Sequence, residues 1–178
     1  MSSLVTSIRS YYSANVVGRV LAAHQAGDVS GTVVSHNYAN IPGAIPLPAT
    51  LSLELGDVIK EQQANITYRF LSDLPFKNRA PHDLDNFETA SLASLRANSS
   101  QTLTDLTRVG FTDTLRLITP VIMGQACVAC HNTHPESPKR DWKVGDVRGI
   151  QEVIIRQPYA SNVLAFKYLL CYFFFVAI

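Results

Sequence analysis

Two cysteines three positions apart with a histidine directly after the second, Cys127-Val128-Ala129-Cys130-His131, constrain this chain more than any other feature. Thiols at that spacing can add to the two vinyl groups of a haem as thioethers, and the histidine that follows is then placed to reach the iron. A chain built this way has to fold beside a flat, largely apolar disc and hold one imidazole at its metal. With three Cys and five His in 178 residues, such a pentapeptide arises by chance in roughly one chain in a thousand. The expected cofactor is therefore covalent haem c with its iron, attached at Cys127 and Cys130 and ligated by His131.

The competing reading is zinc, because Cys127, Cys130, His131 and His134 are all suitable ligand types. Structural zinc sites usually join two ligand pairs about 12 or more residues apart, whereas these four would clip only a local loop. A redox dithiol and plain structural cysteines are weaker readings still. Haem iron takes a second axial ligand or an open face. His24, His36, His82, His134 and Met123 have the chemistry for it. Met123 is too near Cys127 to reach the opposite face. His36 is preferred because it precedes an apolar, proline-rich loop suited to lining a pocket. Downstream, Trp142 is expected to pack on the porphyrin, and Arg148 or Lys143 to pair with its propionates. The same stretch also reads as a turn with Gly145 at positive φ before a strand.

Bulk composition excludes more than it selects. Lys and Arg total 15 against 14 Asp and Glu, which gives no field to attract nucleic acid. An odd cysteine count with two thiols so close together does not make a disulfide scaffold. Residues 1–7 show no basic segment leading into an apolar one, so no export signal is read there. The run from Val163 to Ile178 is almost wholly apolar, interrupted by Lys167, and Cys171 within it counts as a small apolar residue. A span needs about 20 such residues, so residues 160–178 are expected to be the truncated start of a transmembrane helix, with Lys167 snorkelling to the interface.

Periodicity supplies the elements. Val5, Ile8, Tyr12, Val16, Val20 and Leu21 recur at helical steps between residues 4 and 23. Val33 and Val34 begin a short strand, and residues 41–50, with three prolines among Ile41, Ile45 and Leu47, form an ordered loop against something apolar. A helix over residues 51–63 presents Leu51, Leu55, Val58 and Ile59, with Thr50 as cap. Ile66, Tyr68 and Phe70 alternate as a half-buried strand, and Asp85-Asn86-Phe87-Glu88 opens a helix to about Ala97 with a capping box. Residues 110–118 and 152–156 read as strands. Short strands with long, non-alternating connections predict an α+β domain over residues 4–158 with an antiparallel sheet.

The stretch from Cys127 to Pro138, followed by Asp141-Trp142-Lys143-Val144-Gly145-Asp146-Val147-Arg148-Gly149, resembles the haem-binding sensor domain of bacterial membrane-bound signalling proteins. Such domains precede adenylate or guanylate cyclase, chemoreceptor or histidine kinase modules. Tyr11-Tyr12 with Val16-Val17 and the loop from Ile41 to Thr50 extend the resemblance, which covers about residues 5–157. It implies a PAS-like fold, a periplasmic haem c, and an inner-membrane helix leading to a cytoplasmic output module. The expectation is a non-catalytic sensor of redox state or a diatomic gas, acting as a homodimer through its first helix. The alternative is a membrane-anchored electron-transfer cytochrome.

Overall fold

Four strands that pair antiparallel form the centre of the protein, with helices on both of their faces. The structure is a computed structural model and describes residues 2–27, 31–77, 79–110 and 112–176. In chain order the elements are α1 (Ser2–Tyr12), a π turn (Ser13–Val17), α2 (Gly18–Gln25), β1 (Val34–Ser35), a 3-10 turn (Tyr38–Asn40), β2 (Ile45–Pro46) and α3 (Pro48–Gln62). They continue with β3 (Ile66–Leu71), α4 (Asn86–Ala97), β4 (Leu103–Val109), β5 (Thr112–Ile122), α5 (Gln125–Thr133), β6 (Val147–Pro158) and α6 (Tyr159–Val176). The main sheet has the order β3-β6-β5-β4 and every pairing in it is antiparallel, while β1 and β2 form a small parallel pair. The expected α+β class with an antiparallel sheet is what the structure shows.

Strand alternation sorts the residues onto two faces. Arg69, Glu152 and Ile118 are register partners, as are Leu71, Ile150 and Pro120, so these share one face. There Leu71, Ile118, Ile150 and Val147 pack with Leu92 and Leu95 of α4. On the opposite face Tyr68 and Val153 bury Val5 of α1, with Leu55 and Ile59 of α3 alongside. The core is thus two apolar clusters separated by the sheet, one under α4 and one under α1 and α3.

Local chemistry accounts for the elements that matched expectation. β3 covers residues 66–71 as read, and Ile66, Tyr68 and Phe70 lie in one cluster. The α4 capping box forms in full: Asp85 accepts from the Glu88 N–H and Glu88 accepts from the Asp85 N–H, each at 2.8 Å. Such caps contribute about 1 kcal/mol.

Other boundaries moved for identifiable reasons. α3 starts at Pro48, not Leu51, because a proline at the first helical position loses no needed donor. Thr50 is therefore inside the helix, where its hydroxyl accepts from Arg79 at 3.0 Å. Val58 is exposed rather than on the buried side, which belongs to Ser52, Leu55, Gly56 and Ile59. The first helix carries a π turn, seen in the Gly18 N–H bonding back to Ser13. Its extra residue per turn rotates the stripe, so Val17 is buried and Val16 is only half-buried. The proline loop does lie on something: Tyr12 donates to the Pro46 carbonyl at 2.7 Å.

The largest omission is β4, whose Thr, Asp and Arg residues hid a strand that pairs along β5. Phe111, in the expected 110–118 strand, lies outside the described residues. β5 and β6 both run further than read. At the C-terminus α6 is a helix with exposed Phe166, Tyr168, Leu169, Leu170 and Tyr172 to Val176. Among the described residues no helix is long and apolar enough to cross a membrane, so the expected transmembrane span is not supported. Residues 177–178 lie outside the described residues.

Candidate functional site

The Cys-x-x-Cys-His segment forms α5, a helix entered from Gly124 directly after β5. In a helix, residues three apart share a face, so Cys127 and Cys130 present their thiols together. Both are free and half-buried. Burial, followed by the neighbouring Cys127, pushes the Cys130 thiol above its ordinary value, which keeps it protonated. α5 packs beside the π turn, and Arg9 of α1 lies within electrostatic range of Cys127.

His131 sits one residue further round the helix, where Arg148 of β6 donates its Nε–H to Nδ1 at 3.4 Å. Phe76 closes over the imidazole with ring centroids 4.9 Å apart. Burial first, then the Arg148 cation and His134, pull the His131 pKa down to about 4. The ring is therefore neutral near pH 7, the form a metal ligand needs.

Arg148 is the centre of the surrounding structure. Its guanidinium donates to the Ser72 hydroxyl and the Leu74 carbonyl and lies 5.4 Å from the centroid of the Trp142 ring. Burial lowers its pKa to about 10, which leaves it cationic. Lys139 Nζ lies 4.9 Å from the same indole centroid. Trp142 is 5% exposed, and its Nε1 is buried with no hydrogen-bond partner. It lines a cavity of about 440 Å³ together with Leu74, Arg96, Lys139 and Asp146. Gly145 turns the chain into β6 at φ +96°, as its place before the strand predicted.

Cys127, Cys130, His131, Trp142 and Arg148 are thus gathered in one neighbourhood, although Lys143 is exposed. His36 stands apart, exposed in the turn after β1, with no hydrogen bond or ring contact to α5 among the described residues. His82 Nδ1 is engaged by the Ser72 backbone, at 2.8 Å from its nitrogen, and Met123 is buried at 2% exposure. His134 accepts from the Glu136 N–H and meets Phe76 edge-on at 5.1 Å. Among the described residues no group of three or more His, Cys, Asp or Glu converges to hold a metal ion.

Sequence reading missed Phe76, Ser72, Arg9 and Asn132. Only Asn132 left a trace, as a polar residue directly after the motif. Its side chain accepts from the Trp142 N–H and donates to the Trp142 carbonyl, both at 2.9 Å, tying α5 to the indole loop. Asn132→Ala leaves both backbone groups unpaired and is expected to cost about 1–3 kcal/mol, measured as a fall in denaturation midpoint.

A search of curated proteins finds no match. Among solved structures the chain is similar to the cyanobacterial heme-protein Tll0287, at 18% identity and a TM-score of 0.45, over 79% of this chain and 94% of that one. The family model described as Tll0287-like matches residues 2–156, and the chain belongs to that family.

Proposed function

We propose that the chain is a haem c protein whose covalent attachment is at Cys127 and Cys130 and whose axial ligand is His131. The observation that carries the reading is that both thiols are free on one face of α5 with a neutral imidazole following them. Membership of a family whose namesake is a cyanobacterial heme-protein supports it.

The residues present fit such a group. Each thiol can add its S–H across a vinyl to give a thioether. The unpartnered Trp142 Nε1 and the cations of Lys139 and Arg148 that flank its ring would suit the propionate carboxylates. The haem supplies a redox-active iron able to exchange electrons or take a further ligand. In the present geometry His131 Nδ1 faces Arg148, which can only donate. A haem held by His131 through Nε2 would need the imidazole proton on Nδ1, where Arg148 can only donate, so the Arg148 guanidinium would then be available to a carboxylate.

The finer role is non-catalytic sensing. β6 carries Arg148 beside His131 and runs directly into α6, so a bound haem that displaced Arg148 would act on the strand that leads to α6. A PAS-like sensor on the periplasmic side of the inner membrane, signalling to a cyclase, kinase or receptor module, accords with the resemblance of the motif region. The exposed apolar side chains of residues 166–176 suit a membrane-facing α6, and exposed Ile8 and Tyr11 suit a dimer contact along α1.

The test is a pyridine haemochrome spectrum of protein exported with a c-type maturation system and extracted under denaturing conditions. Haem that stays with the chain supports the reading, and a spectral shift with CO supports gas sensing. Absence of covalent haem overturns it.

A further inference from the structure

The main sheet ends on β4, an edge strand. Edges in natural sheets are usually blunted by proline, lysine or a bulge. β4 has none of these: the stretch from Leu103 to Val109 holds neither proline nor lysine, and its pairing with β5 runs from Leu103 and Ile118 to Val109 and Thr112 without a shift of register. At its centre stands Leu106, 70% exposed.

Leu106 is not an isolated apolar side chain. Its register partner is Leu115, itself 38% exposed, and the row continues through Ile155 to Ile66. Ile155 and Ile66 pack on the cluster of Val5, Tyr68 and Val153 under α1 and α3. One apolar row therefore starts in the core, crosses the whole sheet and runs out at an exposed leucine on the edge.

The backbone at that edge is complementary to itself. Val109 and Thr112 pair across a hairpin loop of two residues, and the residues flanking so short a loop are hydrogen-bonded to each other. Hydrogen-bonded pairs alternate along an antiparallel ladder. Leu103, Asp105, Thr107 and Val109 therefore bond towards β5, whereas Thr104, Leu106 and Arg108 turn their N–H and C=O groups towards the open edge. These three are disposed symmetrically about Leu106. A second β4 laid antiparallel with a two-fold axis at Leu106 sets Leu106 against Leu106 and Thr104 against Arg108, so that every group at the edge meets one from the other copy. Any other antiparallel register of two copies leaves one of the three facing residues outside the strand. Charge permits the pairing: Arg108 is bound to Asp113 of its own chain at 2.8 Å and faces Thr104, and Asp105 faces Thr107, so no like charges meet.

We propose that β4 is a self-association edge, pairing antiparallel with β4 of a second copy about Leu106 and joining two four-stranded sheets into one. The partner is a second copy rather than a foreign strand, because the match lies in the symmetry of β4 about its own central leucine. Burial of Leu106 against its counterpart extends the apolar row across the axis. The contact lies on a different element from the α1 stripe of Ile8 and Tyr11, and it needs no cofactor.

The experiment is light scattering of the full chain and of Leu106→Lys in a non-ionic detergent that covers α6, with site-resolved amide exchange on both. The native chain is expected to be a dimer that dissociates on dilution. Leu106→Lys removes the apolar contact and opposes two ammonium groups at the axis, and should weaken the dimer by about 100-fold. Because Leu106 is exposed in the single chain, the variant is expected to keep the native circular dichroism. In the native dimer the amides of Thr104, Leu106 and Arg108 should be protected alongside those of Asp105 and Thr107, and in the variant only the latter two should remain so. A native chain that is monomeric at about 100 μM, a dimer that Leu106→Lys leaves intact, or freely exchanging Thr104, Leu106 and Arg108 amides in the native dimer would each overturn the proposal.

Discussion

Replacing Cys127 and Cys130 together by alanine is expected to abolish covalent haem completely while leaving the chain folded. Both thiols lie on α5, outside the two apolar clusters that hold the sheet, and alanine is the best helix former. The loss in stability of the apoprotein should stay within about 1 kcal/mol. Haem staining after denaturing electrophoresis should go from one haem per chain to none in the double variant. Each single variant should keep a single thioether. His131→Ala separates attachment from ligation: the thioethers do not need the imidazole, so haem should remain on the chain with an altered absorption spectrum. Haem that survives the double substitution would place the attachment elsewhere and end the central reading.

What the sequence revealed about the site follows from how local each signal was. Cys127, Cys130 and His131 are contiguous, so their spacing was legible before any fold was known. Trp142 and Arg148 were singled out by residue type alone, as a flat apolar group and a cation, and the return of the chain into β6 sets them beside α5. Phe76 was not legible: it follows the irregular segment after β3, and only tertiary packing lays it on His131. The buried carboxylates Glu88 and Glu152, balanced by Arg69 and Arg116, illustrate the same limit. Each looked like an ordinary acid on a helix or strand, and only the register of β6 with β3 and β5 places Glu152 beneath α4.

The fold was read best where a short-range device specified it, as in the α4 capping box and the alternation of β3. It was read worst in β4. That strand alternates apolar and polar residues only weakly: Leu106 is 70% exposed, and pairing to β5 rather than burial of a face defines the strand. The π turn in the first helix was likewise invisible, because its signature is a one-residue shift in which valine is buried, and both Val16 and Val17 were available.

Gly149→Ala is expected to be the most damaging single substitution per atom added. A Cβ at this position would run into the Leu71 carbonyl oxygen and stand 3.2 Å from Ser72 Cβ. The first neighbour is backbone, in the stretch where β3 pairs with β6 through Leu71 and Ile150, so no rotamer change relieves the clash. The strands have to separate, and β6 cannot yield freely, because Ile150 at 0% exposure anchors it beneath α4. Overpacking of this kind costs about 3 kcal/mol, only partly offset by the roughly 0.4–1 kcal/mol gained when alanine restricts the unfolded chain. For a domain of this size the net loss corresponds to a Tm lowered by about 4–10 °C. Arg148 precedes the substitution directly and is held by Ser72 and Leu74, so the same displacement should withdraw its guanidinium from His131. A variant that keeps its Tm would mean that β3 and β6 slide apart at little cost. A variant that loses stability and also shows an upward shift of the His131 pKa, followed by the imidazole proton resonances of the apoprotein, would establish that the close approach at Gly149 is what seats Arg148 against the candidate ligand.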